Sequence, residues 1–528
     1  MDTITLQGVP RPALTPPFPS QMIFSVIVPQ MASLEFFVGL VSPHAVRRAR
    51  VEFVVELQLE GQRVTLYREA FRAPKANRWH RRLTDLSAWG GKKVDLILRT
   101  EPALDLPHIP WAGRILTAWG DPVLRPRTPR RGQASERPSF VFLLVDTLRA
   151  DYLGAYGFEG EISPAVDRLA LESLLFENCY TNAPWTKPAI ATLFTSLHPE
   201  LHGVRDIGTK FWNGTAEETE ALADEALTLA ESLRAGGYRT AGFTANPWIS
   251  PRYGFAQGFE VFELHEDTKD LLATARRWLA AGADRRPFFL YLHFMDVHGP
   301  YRVPRADYEA LLDSPSLGNP QSLDETDYEK MPPYLRRIAW ASEEERRSLT
   351  AWRAKYAAGV RVFDRYLGPF LDELRNSATL DDAYVILTSD HGEELMEHGG
   401  WDHGYKLFDH QLHVPLLIRR PRGANAGRRL PSLVSLVDVM PTILSLAGID
   451  PPLELQGEDF SKLLEGAHRA RPDRPAAVFS AGVKQRPNLH GLRTREHKLV
   501  LEVPGEDLLL FDLTSDPAEL DNVASRQP

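Results

Sequence analysis

Apolar and polar residues alternate with a period close to two in the first hundred residues of the chain. The apolar members of this pattern are Phe53, Val55, Leu57, Leu59, Val94, Leu96 and Leu98. This period is typical of strands with one buried face, and no helical pattern of comparable strength precedes residue 120. The pattern predicts an N-terminal β-rich domain over residues 1–120, a small β-sandwich that serves either as a packing module or as a substrate or carbohydrate binder.

The pattern changes twice between residues 121 and 146. Residues 121–138 are rich in Pro and Arg and lack apolar periodicity, which predicts an exposed linker. The continuous apolar run Phe140–Val145 then ends in Asp146, as expected of a strand buried on both faces of a parallel sheet. The sequence therefore places a domain boundary in this linker.

A strand-then-helix pattern repeats along residues 139–430 and predicts an α/β domain with a mostly parallel sheet between helices. Predicted strands end near residue 245, at Phe294 and at Ser389, and a helix is expected near residues 350–375. Ser163 and Pro164 are suited to cap and open a helix. Residues 299–340 carry several prolines and predict a long excursion beside the site, and residues 431–528 predict a small C-terminal α+β subdomain.

Composition narrows the possible functions. The 528 residues carry a formal net charge of −9, which argues against nucleic-acid binding because that role normally needs a concentrated basic face. Cys179 is the only cysteine, so the chain has neither an intrachain disulfide nor a thiolate zinc site. The apolar stretch 22–41 is interrupted by polar residues and Pro29, so we expect no signal peptide or membrane span and a cytoplasmic location.

Candidate chemistry lies where two predicted strands end. FVFLLVD ends on Asp146, and VILTSDHGEE presents Asp390 and His391. Because ligands bind outside the carboxyl ends of strands in open α/β sheets, these side chains are expected to converge on a metal ion. Thr186 precedes a helix that Pro188 is suited to open, where it is either a simple N-cap or a hydroxyl beside the ion.

Several long segments resemble the sulfatases of the alkaline phosphatase superfamily in order and spacing. The segments include VDTLRADYLGAYG, NAPWTKPAIATLFTSLHPELHG, HFMDVHGPY, TSDHGEELMEHGGWDHGYKLFDHQLHVPLLI and LFDLTSDPAELDNVA. The resemblance covers about residues 138–525. It implies an alkaline-phosphatase-like α/β fold and a divalent cation held by Asp146, Thr186, Asp390 and His391.

The sequence departs from that family at the nucleophile. Sulfatases carry Cys or Ser, any residue, Pro, any residue and Arg, and they oxidise the first residue to formylglycine; here the window is Thr186, Lys187, Pro188, Ala189 and Ile190. Formylglycine cannot form from threonine, and the residues after Cys179 do not supply the motif. Thr186 resembles instead the metal-bound threonine of phosphate-handling relatives. We therefore expect hydrolysis of a phosphate diester, or of a phosphonate or phosphate monoester, with sulfatase, phosphotransferase and inactive glycan-binding protein as alternatives.

The resemblance also suggests roles for further residues. His298 and Lys406 match positions that contact the transferred group or the leaving oxygen, and His403 is the expected leaving-group acid, with a pKa near working pH. His391 replaces an Asn and Thr147 an Asp of many sulfatases, which favours one Mn or Zn ion over Ca or Mg. A second ion on Asp296, His298 and His403 is the less favoured alternative. His293, His398, His410 and His413 receive no role, and the sequence leaves the oligomeric state and the physiological ester open.

Overall fold

A computed structural model describes residues 2–526 except for 7–8, 17, 30–31, 42–49, 60, 73–79, 103–115, 127–136, 206–219, 283–285, 339, 341, 378, 453–454, 467–476, 482–483, 485–487, 504 and 506. The chain forms two compact units. The first comprises Met1–Arg130 and Asp224–Leu227, and the second comprises Arg131–Ala223 and Thr228–Pro528. No helix in the described ranges is long and apolar enough to cross a membrane.

The first unit consists of two antiparallel sheets. Its strands are β1 (Asp2–Leu6), β2 (Val9–Leu14), β3 (Ser20–Ile27), β4 (Ala32–Val41), β5 (Arg50–Leu59), β6 (Gln62–Arg72), β7 (His80–Asp85), β8 (Lys93–Pro102) and β9 (Leu116–Pro126). The sheet orders are β1-β2-β9-β4-β7 and β3-β8-β5-β6. Trp119 of the first sheet packs against Phe53 of the second, with ring centroids 5.1 Å apart. The predicted antiparallel sandwich is therefore confirmed.

The predicted domain limits need two corrections. Strand β9 continues to Pro126, so the first six residues of the predicted linker 121–138 belong to a sheet. Beyond Gly120 the strand pairs with β4 and no longer with β2, and Pro is tolerated where one side of a strand is unpaired. Residues 127–136 of that linker lie outside the described residues. The predicted boundary at 430/431 falls inside a strand, Arg428–Ser435, that pairs with the main sheet.

The second unit is an α/β sandwich. Its main strands are β10 (Ser139–Val145), β11 (Leu174–Tyr180), β12 (Arg239–Thr244), β13 (Val261–Leu264), β14 (Phe288–Phe294), β15 (Ala383–Thr388), β18 (Leu416–Arg419) and β19 (Arg428–Ser435), with the short hairpin β16 (Glu394–Leu395) and β17 (Trp401–Asp402) beside them. The sheet order is β13-β12-β14-β10-β15-β18-β11-β19. Strands β13, β12, β14, β10 and β15 are parallel, whereas β18 is antiparallel to both of its neighbours.

Helices cover both faces of this sheet. They are α1 (Pro164–Leu171), α2 (Thr186–Thr195), α3 (Pro199–His202), α4 (Leu229–Ala235), α5 (Thr268–Ala280), α6 (Arg305–Glu309), α7 (Glu325–Glu329), α8 (Pro333–Arg336), α9 (Glu343–Arg347), α10 (Leu349–Asn376), α11 (Asp409–Leu412), α12 (Val439–Leu446) and α13 (Ser461–Glu465). Val141 and Leu143 of β10 share one core with α1, α5 and α10. Phe142 faces the other way, towards Tyr291 and thus Phe194 of α2. The apolar run of β10 is continuous because both of its faces are covered.

The C-terminal strands form a smaller antiparallel sheet in the order β20 (Val478–Ser480), β21 (Asn488–Arg493), β22 (His497–Val503) and β23 (Leu508–Asp512). The predicted strands near residues 497–502 and 507–512 correspond to β22 and β23. Residues 299–340 contain α6, α7 and α8, so the predicted excursion is built from short helices.

Helix α1 is capped by a residue of α10 and not by its own N-cap. Ser163 makes no side-chain cap hydrogen bond; its hydroxyl instead accepts from Gly154 N and donates to Asp167. Asp364 of α10 accepts from Ala165 N at 3.0 Å and Val166 N at 2.8 Å. Burial raises the pKa of Asp364 to about 6, although these two donors oppose the shift. The contact ties α1 to α10 across the core.

This pairing predicts a pH-dependent contribution to stability. The folded state favours protonated Asp364, so its contribution is complete below the ordinary pKa of 3.8 and is lost as the pH rises through about 6. We therefore expect the difference in melting temperature between the wild type and Asp364→Asn to become smaller as the pH rises from 4.5 to 7.5. Tyr366→Phe, a change at an exposed position of α10, is the control. A difference that stays constant across this range would contradict the role given to Asp364.

Candidate functional site

The carboxyl ends of two adjacent parallel strands bring the predicted ligands together. Asp146 follows β10, and Asp390 and His391 lie just beyond β15. All three side chains are fully buried, and one ligand atom from each lies within 4.8 Å of the others. Thr186 Oγ1 lies 3.2 Å from His391 Nε2. The four residues predicted as ligands therefore occupy one small pocket, which we call the metal-ligand cluster.

Asp146 uses one carboxylate oxygen for the protein and leaves the other free. Its Oδ2 accepts from Asn246 Nδ2 at 2.6 Å and from His293 Nε2 at 3.0 Å, whereas Oδ1 has no hydrogen-bond partner in the described structure. Burial alone raises the pKa of Asp146, but the bond from His293 and the charges of His298 and His391 outweigh it and lower the pKa. Asp146 is thus held as a carboxylate that faces the cluster.

The two carboxylate oxygens of Asp390 also differ in their hydrogen-bond partners. Its Oδ1 accepts from the backbone N–H groups of His391 at 3.0 Å and Thr147 at 3.3 Å, whereas Oδ2 has no hydrogen-bond partner among described residues. Thr147 donates from a left-handed conformation with φ 59°, which is rare for a β-branched residue. Tyr356 of α10 fixes this turn, since its hydroxyl donates to Thr147 O at 2.6 Å. The packed helix thereby sustains a strained turn that orients Asp390.

The chemistry of the cluster fits a divalent cation. Two buried carboxylate oxygens without partners, 0% exposed, would be costly unless a positive charge binds them. His391 Nδ1 donates to Gly392 O at 2.9 Å, so its Nε2 presents a lone pair towards Asp146 Oδ1, 3.7 Å away, and Asp390 Oδ2, 3.2 Å away. The donor set comprises two carboxylates, one imidazole and one hydroxyl, which suits one small ion.

Thr186 is not the cap of its helix. Helix α2 begins at Thr186, two residues before the predicted opening at Pro188, and the N-cap position belongs to Trp185, whose side chain makes no cap bond. The Thr186 hydroxyl is thus left to face His391, and only 4% of the residue is exposed. The alternative interpretation of Thr186 as a simple N-cap is therefore not what the structure shows.

A second group of buried ligating side chains lies beside the cluster. His403 Nδ1 is 3.0 Å from Asp402 Oδ1 and 3.3 Å from Glu393 Oε1, and its ring centroid is 4.3 Å from that of His391. Burial and the positive charge of Lys484 lower the pKa of His403 well below its ordinary value, although Asp402 opposes them. The expectation of a His403 pKa near working pH is therefore wrong, because the sequence did not show that this side chain is buried.

Among the described residues, Asp296, His298 and His403, the residues considered for a second ion, do not form a group with metal-ligand spacing. Asp296 accepts a short hydrogen bond from the Thr268 hydroxyl, which holds it to helix α5. His298 does lie near His403, with ring centroids 5.1 Å apart, and its Nδ1 donates to Gly299 O at 2.5 Å. The group with metal-ligand spacing next to the cluster is instead Glu393, Asp402 and His403.

The Lys406 side chain is paired with residues outside the metal-ligand cluster. Its ammonium bonds to Glu394 Oε1 and to His398 O, both at 2.9 Å, in a group that also contains His410. Lys484 is the lysine beside the second group, with Nζ 4.0 Å from Asp402 Oδ1. His413 donates to Glu177 O at 2.9 Å, in keeping with the absence of a predicted role.

Sequence reasoning missed several residues that shape the site. His293, which was given no role, and Asn246 both bind Asp146, and Tyr334 donates to Asp402 Oδ1 at 2.8 Å. The strand-end rule could have found Asn246, two residues beyond β12, and His293, near the end of β14. Tyr334 lies in the irregular excursion, where no periodic signal marks it.

Loss of one cluster carboxylate is expected to weaken metal binding. Asp390→Asn removes a charge that faces the cluster, so we expect the affinity for a divalent cation to fall at least about tenfold, and the rise in melting temperature on metal addition to shrink. Metal content after dialysis, measured by elemental analysis, and thermal melting test this. Asp372→Asn, at an exposed carboxylate of α10, is the control. Unchanged metal content in Asp390→Asn would exclude this site.

Comparisons with known proteins agree with the geometry. The Sulfatase family profile matches residues 138–449, and the profile of the N-sulphoglucosamine sulphohydrolase C-terminal region matches residues 396–528. Arylsulfatase K of Danio rerio is 28% identical over 446 residues, which cover 74% of this chain and 81% of that protein. The N-acetylglucosamine-6-O-sulfatase of Bacteroides thetaiotaomicron is 23% identical over 479 residues, covering 74% and 83%.

A solved phosphonate monoester hydrolase of Agrobacterium radiobacter also resembles the chain, with 26% identity, a TM-score of 0.58 and coverage of 74% of this chain and 92% of that one. The expected alkaline-phosphatase-like fold is confirmed. The predicted cleavage of phosphate diesters, or of phosphonate or phosphate monoesters, is wrong, because the two curated relatives named above are sulfatases and the phosphonate hydrolase is a structural neighbour. The threonine at position 186 is a single residue, and its identity alone did not determine which ester is the substrate.

Proposed function

Because the chain belongs to the sulfatase family, we propose that it hydrolyses sulfate esters with Thr186 as the nucleophile. One observation carries the proposal: the buried Thr186 hydroxyl, at the start of helix α2, lies 3.2 Å from Nε2 of His391, a member of the metal-ligand cluster. An anionic sulfate group is favoured at a helix N-terminus, where backbone N–H groups and the helix dipole are directed towards it.

We propose that Mn or Zn occupies the cluster in preference to Ca or Mg. His391 contributes an imidazole nitrogen, which suits the softer ions, and Thr147 contributes no carboxylate where a hard ion would benefit from one. When bound, such an ion favours deprotonation of a neighbouring hydroxyl and neutralises charge on the sulfate oxygens. Asp146, Thr186, Asp390 and His391 would hold it.

The reaction then follows from the positions of the side chains. Thr186 releases its hydroxyl proton to solvent as Oγ1 bonds to sulfur, and the bond from sulfur to the alcohol oxygen breaks while that oxygen takes a proton from the acid proposed below. Water next attacks the sulfur and the bond between sulfur and Oγ1 breaks. One proton of the water passes to Oγ1 and the other to the deprotonated acid, so sulfate and a regenerated Thr186 result. Threonine cannot form a formylglycine hydrate, so sulfate cannot leave by elimination from one. Both steps are therefore displacements at sulfur.

His298 is the side chain we propose as the proton donor to the leaving alcohol. Its Nδ1 donates to Gly299 O, so the protonated imidazole carries its second N–H on Nε2 and can give that proton to the leaving oxygen. His403, whose pKa burial and Lys484 lower, is better suited to contact the ester in its neutral form. Asp402 and Glu393 orient the His403 ring through its Nδ1.

Substitution of the nucleophile tests the proposal. We expect Thr186→Ala to lower kcat for sulfate release from an aryl sulfate at least about a thousandfold, and Thr186→Ser to keep measurable activity, because only the latter retains a hydroxyl. Sulfate release measured separately with Mn, Zn, Ca and Mg shows which ion supports activity. Thr195→Ala removes a buried hydroxyl of the same helix that bonds to Ala191 O at 2.6 Å and is the control. Near-wild-type turnover by Thr186→Ala would disprove the nucleophile assignment.

A further inference from the structure

A cavity of about 430 Å³ opens beside the site and is rich in positive charge. Its polar lining consists of Tyr301, Arg302, Tyr334, Arg337 and Lys355, with apolar residues between them. Three of these five residues are cationic and none is a carboxylate. We call this space the cationic cavity.

The two arginines of the cationic cavity are available for a ligand. Arg302 and Arg337 are exposed, and within the described ranges neither guanidinium makes a hydrogen bond or ion pair. Arg305, three residues after Arg302, is different because it is bound to Glu309 at 2.6 Å and Glu345 at 3.3 Å. The chain thus neutralises the neighbouring arginine but leaves the two in the cavity without a protein anion.

Two buried groups of the same lining lack the partners that their burial would normally require. Lys355 is only 5% exposed and makes no hydrogen bond or ion pair with another described residue; the rings of Tyr308 and Trp340, with centroids 4.4 Å from its ammonium, and the more distant charge of Glu345 compensate it weakly. The Tyr301 hydroxyl is buried, and no hydrogen-bond partner for it lies in the described structure. An ammonium and a free hydroxyl, together with two guanidinium groups, form a donor set suited to an oxyanion.

The cationic cavity shares a wall with the candidate active site. The Tyr334 hydroxyl donates to Asp402 Oδ1 at 2.8 Å, and Asp402 contacts His403, whose ring lies 4.3 Å from that of His391. Tyr301 follows His298 by three residues in the chain. The cavity is therefore connected to the metal-ligand cluster through Tyr334, Asp402 and His403.

We propose that the cationic cavity binds a second anionic group of the substrate, a sulfate or a carboxylate, so that the preferred esters carry at least two negative charges. This inference rests on the proposed function and specifies its substrate class. Planar guanidinium groups suit such oxyanions because they donate two parallel hydrogen bonds. The volume is ample for one such group together with part of a sugar ring.

Paired substrates test the inference kinetically. The probes are a monosulfated hexosamine and the same hexosamine with a second sulfate. For the double variant Arg302→Gln/Arg337→Gln we expect kcat/KM on the disulfated sugar to fall about 100-fold, or about tenfold per guanidinium, equivalent to about 1.4 kcal/mol each. On the monosulfated sugar, kcat/KM of the double variant should differ less than about twofold from that of the wild type, because this sugar has no second sulfate to contact the arginines. Arg305→Gln, a paired arginine outside the cavity, should leave both values unchanged.

An equal fall on both sugars, or no fall on either, would overturn the inference. A third result would also overturn it: the wild type has equal kcat/KM on the two sugars, and inorganic sulfate inhibits the wild type but not the double variant. The cavity would then bind free anion and not a group of the substrate. Calorimetric binding of the disulfated sugar to the metal-loaded Thr186→Ala variant separates this test from that of the proposed function. Binding at least tenfold weaker when Arg302 and Arg337 are also replaced supports the cavity even without turnover, and equal binding refutes it.

Discussion

Two fully buried carboxylates close to one another are the constraint on which the site depends. Asp146 and Asp390 repel each other in a low-dielectric interior, and the protein satisfies only one oxygen of each. Asn246 and His293 bind Asp146, and backbone N–H groups bind Asp390, so that the free oxygens face inward. The arrangement holds two negative charges in a form that a cation can stabilise.

The fold supplies the rigidity that this arrangement needs. Strands β10 and β15 are neighbours in a sheet covered on both faces, so the separation of their carboxyl ends is fixed by backbone pairing. The strained conformation of Thr147 persists because Tyr356 of the long helix α10 holds its carbonyl. Helix α2 brings Thr186 to the same edge from the far side of the sheet. Thr186 and the carboxylates of the cluster therefore come from separate elements that are all anchored in the core.

The site also shows why one residue did not determine the substrate. A threonine hydroxyl beside a cation can attack phosphorus or sulfur, since either attack needs only an activated oxygen and an in-line approach. Threonine excludes the formylglycine route but leaves the family assignment intact, and the relatives on which that assignment rests are sulfatases. The groups around the ester must then supply the selectivity. The positive charge of Arg302, Arg337 and Lys355, to which we assign such a role in our proposal, is not revealed by Thr186.

The sequence by itself determined the α/β class, the strand ends that present Asp146, Asp390 and His391, and the position of Thr186 at a helix start. It could do so because buried strands leave a continuous apolar run and because carboxyl ends of parallel strands meet at one edge. Only the tertiary structure decided that Lys406 binds Glu394, that His403 is buried against Asp402, and that His293 supports Asp146. These contacts join residues from different loops and strands, and their geometry is set by packing that leaves no periodic signal in the chain.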